Sequence, residues 1–159
     1  MARIIIGFMG SGKSTISSLL DEKLHLIWML LIIEHIGMSI ADFFAKEGEA
    51  KFREIESQVL AELADSDQVI STGGGVVINP INREILARNP ETIYLKSDFE
   101  TLYDRIEHDT ENVRPLFVNN SKEAFKEIFD GRQEMYEAAA NRIIEVADKT
   151  PEEIVEEIG

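Results

Sequence analysis

Hydrophobic positions along this chain alternate between two rhythms. Arg3 to Ile6 is a short apolar run of the kind that forms a strand covered on both faces, and Lys13 to Lys23 follows with Ile16, Leu19 and Leu20 at helical spacing. Leu26 to Ile33 is the longest unbroken apolar run. It falls well short of the roughly 20 residues a membrane-spanning helix needs, and Leu24 to Ile33 is predicted as a second buried strand. Ser39 is a candidate N-cap for a helix starting near Ile40, with Asp42 in its first turn. Helical spacing then continues through Phe43, Phe44, Phe52, Ile55, Val59, Leu60 and Leu63, with a break expected at Gly48. Gln68 to Ser71 predicts a strand that ends in Thr72-Gly73-Gly74-Gly75.

The second half keeps the alternation. Asn82 to Arg88 predicts a helix and Thr92 to Leu95 a strand, and Ser97 with Glu100 has the form of a capping box for a helix through Ile106. His108 to Asn120 is polar and irregular, and is expected to be a long mobile loop. Helix resumes near Ser121 and runs to about Ala140, and Arg142 to Val146 is the last strand. Thr150-Pro151-Glu152-Glu153 supplies an N-cap, a proline at the first helical position and a glutamate at the third for a final helix. Strands alternating with helices in this way imply one α/β domain over 1–159, with a mostly parallel five-stranded sheet between two helical layers.

Composition narrows the function classes. In 159 residues there are 30 acidic and 16 basic side chains, a net charge of −14, so a broad nucleic-acid-binding face is not expected. Cysteine is absent, which excludes disulfides, thiolate metal sites and a cysteine nucleophile, and suits a reducing cytosol. Met1 to Gly7 is too short an apolar stretch for an export signal and lacks a cleavage pattern. A soluble cytoplasmic protein with no membrane partner is expected.

The first turn carries the chemistry. Gly7-Phe8-Met9-Gly10-Ser11-Gly12-Lys13-Ser14 satisfies G-x-x-x-x-G-K-[ST] between an apolar strand and an amphipathic helix. Glycines let successive N–H groups turn toward phosphate oxygens, and the following helix adds its N-terminal dipole. Gly7, Gly10, Ser11, Gly12, Lys13, Ser14 and Thr15 are therefore the candidate nucleotide-binding residues. Lys13 is placed to reach the β- and γ-phosphates, and the Ser14 hydroxyl to ligate Mg²⁺. The plainer alternative, a glycine-rich turn with a surface lysine, explains less of the pattern. No Asn-Lys-x-Asp segment of the guanine-reading kind is present, which favours ATP over GTP.

Gly73, Gly74 and Gly75 leave a surface without side chains after a strand, suited to close approach by a small polar ligand, although a tight turn alone would explain one or two of them. Arg53, Arg114 and Arg132 are candidate anion-binding cations. Any of them could instead pair with a neighbouring glutamate on a helix. Arg114 stands apart, because it lies in the polar loop, from which it could close over a triphosphate.

Taken together, Gly7 to Thr15, Ile36-Gly37-Met38-Ser39-Ile40, Gly48 to Glu56, Thr72 to Gly75 and Arg114-Pro115-Leu116 resemble the shikimate kinase family over nearly the whole chain. The resemblance implies a three-layer P-loop kinase fold with a mobile lid at about 107–120 and a substrate-binding helical segment at about 34–64. It implies transfer of the ATP γ-phosphoryl group to the 3-hydroxyl of shikimate, with Mg²⁺, in a protein compatible with a monomer. Arg53 and Arg132 would bind the shikimate carboxylate, Gly73 to Gly75 would contact its ring, and Lys13 and Arg114 would act on the phosphates with Arg105 nearby. Val146 to Pro151 resembles the adenine-packing loop. The chain departs from the family at one place. The family ends its second strand in Asp-x-Asp, but Leu26 to Ile33 holds no carboxylate, and neither Glu34 nor Asp42 is a convincing replacement. Other kinase acceptors (gluconate or a nucleoside monophosphate) and a binding protein without catalysis are the alternatives.

Overall fold

A computed structural model describes residues 2–20, 27–109 and 115–159, apart from the side chains of Ser14, Ile27, Met29, Pro115 and Leu116. Strand β1 (Arg3–Ile6) leads through the glycine loop into α1 (Lys13–Leu20). Helices α2 (Ile27–Ile36), α3 (Ile40–Glu47) and α4 (Glu49–Ala64) precede β2 (Val69–Ser71). A 3₁₀ turn at Val76–Ile78 then enters α5 (Pro80–Arg88), followed by β3 (Thr92–Lys96) and α6 (Phe99–Glu107). The chain ends with α7 (Pro115–Val118), α8 (Lys122–Ala139), β4 (Arg142–Glu145) and α9 (Pro151–Ile158).

The sheet is parallel, in the order β2-β1-β3-β4, with Ile4 beside Ile70, Ile5 beside Ile93 and Tyr94 beside Ile143. Successive strand residues point to opposite faces, and the core divides accordingly. Ile4, Ile6, Ile70 and Tyr94 pack with α2, α4, α5, α6 and α8, while Ile5, Ile93, Leu95 and Ile144 pack with α1 and α9. This is the expected helix–sheet–helix layering. Among the described residues no helix is long and apolar enough to cross a membrane.

The helix ends follow local chemistry. The side chains of Ser39, Ser121 and Thr150 accept from N–H groups in the first turns of α3, α8 and α9, and Thr150 with Glu153 forms the reciprocal box. Gly48 separates α3 from α4 at φ +85°. Helix α6 is capped by Asp98, whose carboxylate accepts from Thr101 N–H; Ser97, the expected cap, is buried instead. The carboxylate is the stronger acceptor and holds the cap. A short helix, α7, occupies part of the expected irregular loop 108–120.

The main correction concerns the second strand. Residues 24–26 lie outside the described ones, but Ile27–Ile36 is helix, so the sheet has four strands among the described residues where five were expected. A continuous apolar run has no period, so it fits a buried strand and a buried helix equally well. The helical pattern shows once the run is extended to Ile36. Trp28, Ile32 and Ile36 are buried at i, i+4 and i+8, Leu30 and Ile33 are exposed, and Gly37 at φ +69° ends the helix by donating to Ile33 C=O.

Candidate active site

Two glycine loops that leave the same ends of neighbouring parallel strands face each other, the general position for ligands in such sheets. The first joins β1 to α1. Gly10 (φ +83°) and Gly12 (φ +92°) take left-handed conformations that allow the loop to curl over the start of α1. Lys13 Nζ lies along the inside of the loop, donating to Gly7 C=O at 2.6 Å and to Phe8 C=O at 3.2 Å. Phe8 anchors the loop from below, its ring 5.4 Å from Phe125 and 5.3 Å from Phe129 of α8. From α6, Arg105 donates to Gly10 C=O at 3.3 Å, so a cation stands at the loop's outer rim.

The second loop follows β2. Gly73, Gly74 and Gly75 are walled by α4 and α8. The position a Cβ would take on Gly75 is 2.6 Å from Arg53 Nη1, so any side chain there would collide with the guanidinium. On Gly73 the same position is 3.2 Å from Glu56 Oε2 and 3.9 Å from Trp28 Nε1. On Gly74 it is 3.7 Å from Met9 N and 3.8 Å from Arg132 Nη1, which places the triplet directly against the phosphate loop. The Tyr136 hydroxyl donates to Gly74 C=O. Burial pushes the phenols of Tyr136 and of Tyr94, stacked 5.1 Å away, upward (Tyr94 to about 12), so the Tyr136 hydroxyl keeps the proton this bond needs.

One cavity of about 740 Å³ runs between the loops. From the nucleotide loop, Gly10, Gly12, Lys13 and Thr15 line it, with Arg105 beside them. The triplet and Arg53 line the other end. Gly7 and Ser11 sit behind the loop, where Ser11 Oγ is buried and without a hydrogen-bond partner. Arg132 stands behind Gly74, its guanidinium 5.8 Å from the Phe8 ring. The Ser14 side chain and Arg114 fall outside what is described. Glu34 and Asp42 are exposed and do not line the cavity. Where the resemblance leads one to expect carboxylates after a second strand, α2 presents Trp28 and Ile32.

Arg53 and Glu56 form the charged heart of the acceptor end. Arg53 Nη1 donates to Glu56 Oε1 at 2.6 Å and Nη2 approaches Glu49 at 3.4 Å, while Nε has no protein partner. Glu56 is 1% exposed. Burial raises its pKa, against the lowering influence of Arg53 and Arg132. Reading the sequence missed Glu56. The available signal was its place among Phe52, Val59, Leu60 and Leu63 on the buried face of α4, where an unpaired acid is almost never found.

Known proteins resemble this chain over nearly its whole length. The family profile described as shikimate kinase matches residues 9–159. The shikimate kinase of Streptococcus gordonii is 54% identical over 157 residues, covering 98% of this chain and 97% of that protein. A crystal structure of shikimate kinase from Bacteroides thetaiotaomicron aligns with a TM-score of 0.80 at 26% identity, over 99% of this chain and 94% of its own. Shikimate kinase from Acinetobacter baumannii in complex with shikimate aligns with a TM-score of 0.79 at 27% identity, over 99% and 89%.

Proposed function

The chain belongs to the shikimate kinase family, and from that premise we propose that its central cavity is where the γ-phosphoryl group of ATP passes to the 3-hydroxyl of shikimate, a step toward chorismate and the aromatic amino acids. The observation that carries this reading is the shared cavity. Lys13 of the phosphate loop lines it together with Gly73 to Gly75 and Arg53, and the Gly74 backbone abuts Met9 N–H. A phosphate on one loop and a small acid on the other would therefore be in contact. Catalysis in such a site rests on positioning and charge neutralisation. Lys13, Arg105 and Arg114 neutralise the phosphates. Arg53 and Arg132 bind the shikimate carboxylate, Arg53 from the cavity wall and Arg132 from behind Gly74. The segment 34–64 carries the acceptor end, and 107–120 is the lid that excludes water from the reacting phosphate.

Mg²⁺ belongs to this reading as the nucleotide's counter-ion. Among the described residues no group of three His, Cys, Asp or Glu could hold a metal. The Ser14 hydroxyl is the protein ligand we assign to it, and the ion would withdraw charge from the transferring group. The enzyme is read as a cytoplasmic monomer, and a net charge of −14 supports the absence of a nucleic-acid partner.

The test is an acceptor screen at saturating ATP with shikimate, gluconate and nucleoside monophosphates, beside calorimetry with shikimate and a non-hydrolysable ATP analogue. Product with shikimate alone is expected. Tight binding of both ligands without product would replace the enzyme by a binding protein. Trp28, the one tryptophan in the chain, lines the cavity and should report shikimate binding by a change in emission.

A further inference from the structure

Every main-chain carbonyl from Gly73 to Ile78 has a donor inside the protein. Gly73 C=O accepts from Val76 N–H at 3.2 Å, Gly75 C=O from Ile78 N–H at 3.1 Å, and Gly74 C=O from the Tyr136 hydroxyl. Val76 C=O accepts from Asn82 Nδ2 at 3.0 Å. A single nitrogen of Arg83, Nη1, donates to Val77 C=O at 2.6 Å and to Ile78 C=O at 3.1 Å. Arg88, on the same helix, forms an ordinary surface pair with Glu84. Among the described residues the half-buried Arg83 pairs with no carboxylate; its charge is aimed at the main chain.

These bonds join end to end. A trans peptide, as all of these are, holds its C=O and N–H on opposite sides. Val77 C=O and Ile78 N–H belong to one peptide, Gly75 C=O and Val76 N–H to another, and Gly73 C=O and Gly74 N–H to a third. A chain of hydrogen bonds therefore starts at the Arg83 guanidinium, passes through these peptides and ends on Gly74 N–H. Among the described residues that N–H donates to no protein acceptor. Gly74 lines the cavity, and the space beside its α-carbon is 3.7 Å from Met9 N of the phosphate loop.

Resting on the kinase reading above, we propose that Arg83 is a positioning residue of the acceptor end, which fixes and polarises this chain of peptides so that Gly74 N–H is presented to an oxygen of the acceptor as a strengthened donor. Arg83 does not line the cavity and acts only through the main chain. A cation donating to the first carbonyl draws electron density along each peptide, so the N–H at the far end becomes a better donor. Orientation is fixed as well. Val76 and Val77 are fully buried, so their carbonyls cannot turn to water and follow the donors that α5 offers. The end of the turn is tied to α4, because Asn79 Nδ2 donates to Ser57 Oγ at 3.1 Å and Ser57 donates to Arg53 C=O at 3.1 Å. The glycines are thereby held in place beside Arg53.

The experiment compares wild type, Arg83→Met and Arg83→Gln, with Arg88→Met as the control on the same helix. Shikimate binding is read from Trp28 emission, turnover from a coupled assay, and the Gly74 amide proton from nuclear magnetic resonance of the ligand-free protein. Methionine keeps the aliphatic stem and removes the cation. We expect the dissociation constant and KM for shikimate to rise on the order of tenfold, with the KM for ATP unmoved and the Gly74 amide proton shifted upfield. Glutamine, a neutral donor, should recover part of both effects, and Arg88→Met should show neither. A folded methionine variant with unchanged shikimate affinity, or with an unmoved Gly74 resonance, would overturn the proposal. So would a joint rise in both KM values, which would make Arg83 a general support of the fold. If the methionine variant does not fold, the glutamine variant decides by the same readings. Wild type that binds shikimate without phosphorylating it would refute the kinase reading alone, because emission and resonance still report what Arg83 does.

Discussion

Gly12 of the nucleotide loop and Gly75 of the acceptor loop look alike in sequence but need glycine for opposite reasons. At Gly12 there is open space around the missing side chain, and the requirement is conformational, since φ is +92°. At Gly73 and Gly75 no φ is positive, and the requirement is room, because Glu56 and Arg53 crowd the bare α-carbons. Torsion thus sets the requirement at Gly12, and packing sets it at Gly73 and Gly75, while Gly7 and Gly10 of the nucleotide loop combine a positive φ with close neighbours. The first kind of loop can be recognised from its motif alone. The second acquires meaning only when distant helices have been placed.

Substitutions can separate the two. Lys13→Met should have the largest effect, abolishing turnover in a coupled assay while the circular dichroism spectrum and melting temperature stay near wild type. Unchanged turnover would remove Lys13 from the phosphate site. Gly75→Ala comes next. The new methyl displaces the Arg53 guanidinium, so the KM for shikimate should rise on the order of tenfold, about 1.4 kcal/mol, with the KM for ATP unmoved. Gly12→Ala has room for its methyl but not the torsion. A cost of about 1 to 2 kcal/mol in stability is expected, with a weaker KM for ATP and an unchanged one for shikimate. If both alanine variants shift the same KM, the division between the loops is wrong. Tyr136→Phe removes the bond to Gly74 C=O and should cost about 1 kcal/mol of stability, seen as a small drop in melting temperature and a slight rise in the KM for shikimate.

The same contrast governs what the sequence disclosed. The phosphate loop, the capped starts of α3, α8 and α9, and the layered α/β order are local or periodic features, and they could be read directly. Arg53 and the triplet could be read as separate candidates, but their contact depends on α4 packing against the loop after β2, which no local pattern encodes. Glu56 was hidden because an acid three residues from an arginine usually means a surface pair, and here the carboxylate is buried while the guanidinium is only partly so. Helix α2 was misread because its apolar positions run on without a period, and the informative residues, Ile36 and Gly37, lie just beyond the run. Asp98 and Ser97 are adjacent candidate caps. The carboxylate, the stronger acceptor, takes the cap and Ser97 is buried beside it.

Phe8 ties these regions together thermally. Its ring lies among Phe125 and Phe129, and through Phe125 joins Phe99 and Phe117, so a residue inside the phosphate loop is also part of the aromatic packing of α6, α7 and α8. Heating cannot loosen that ring packing without loosening the loop. The near-ultraviolet dichroism of the rings and the affinity for nucleotide should therefore be lost at one temperature, in one cooperative transition.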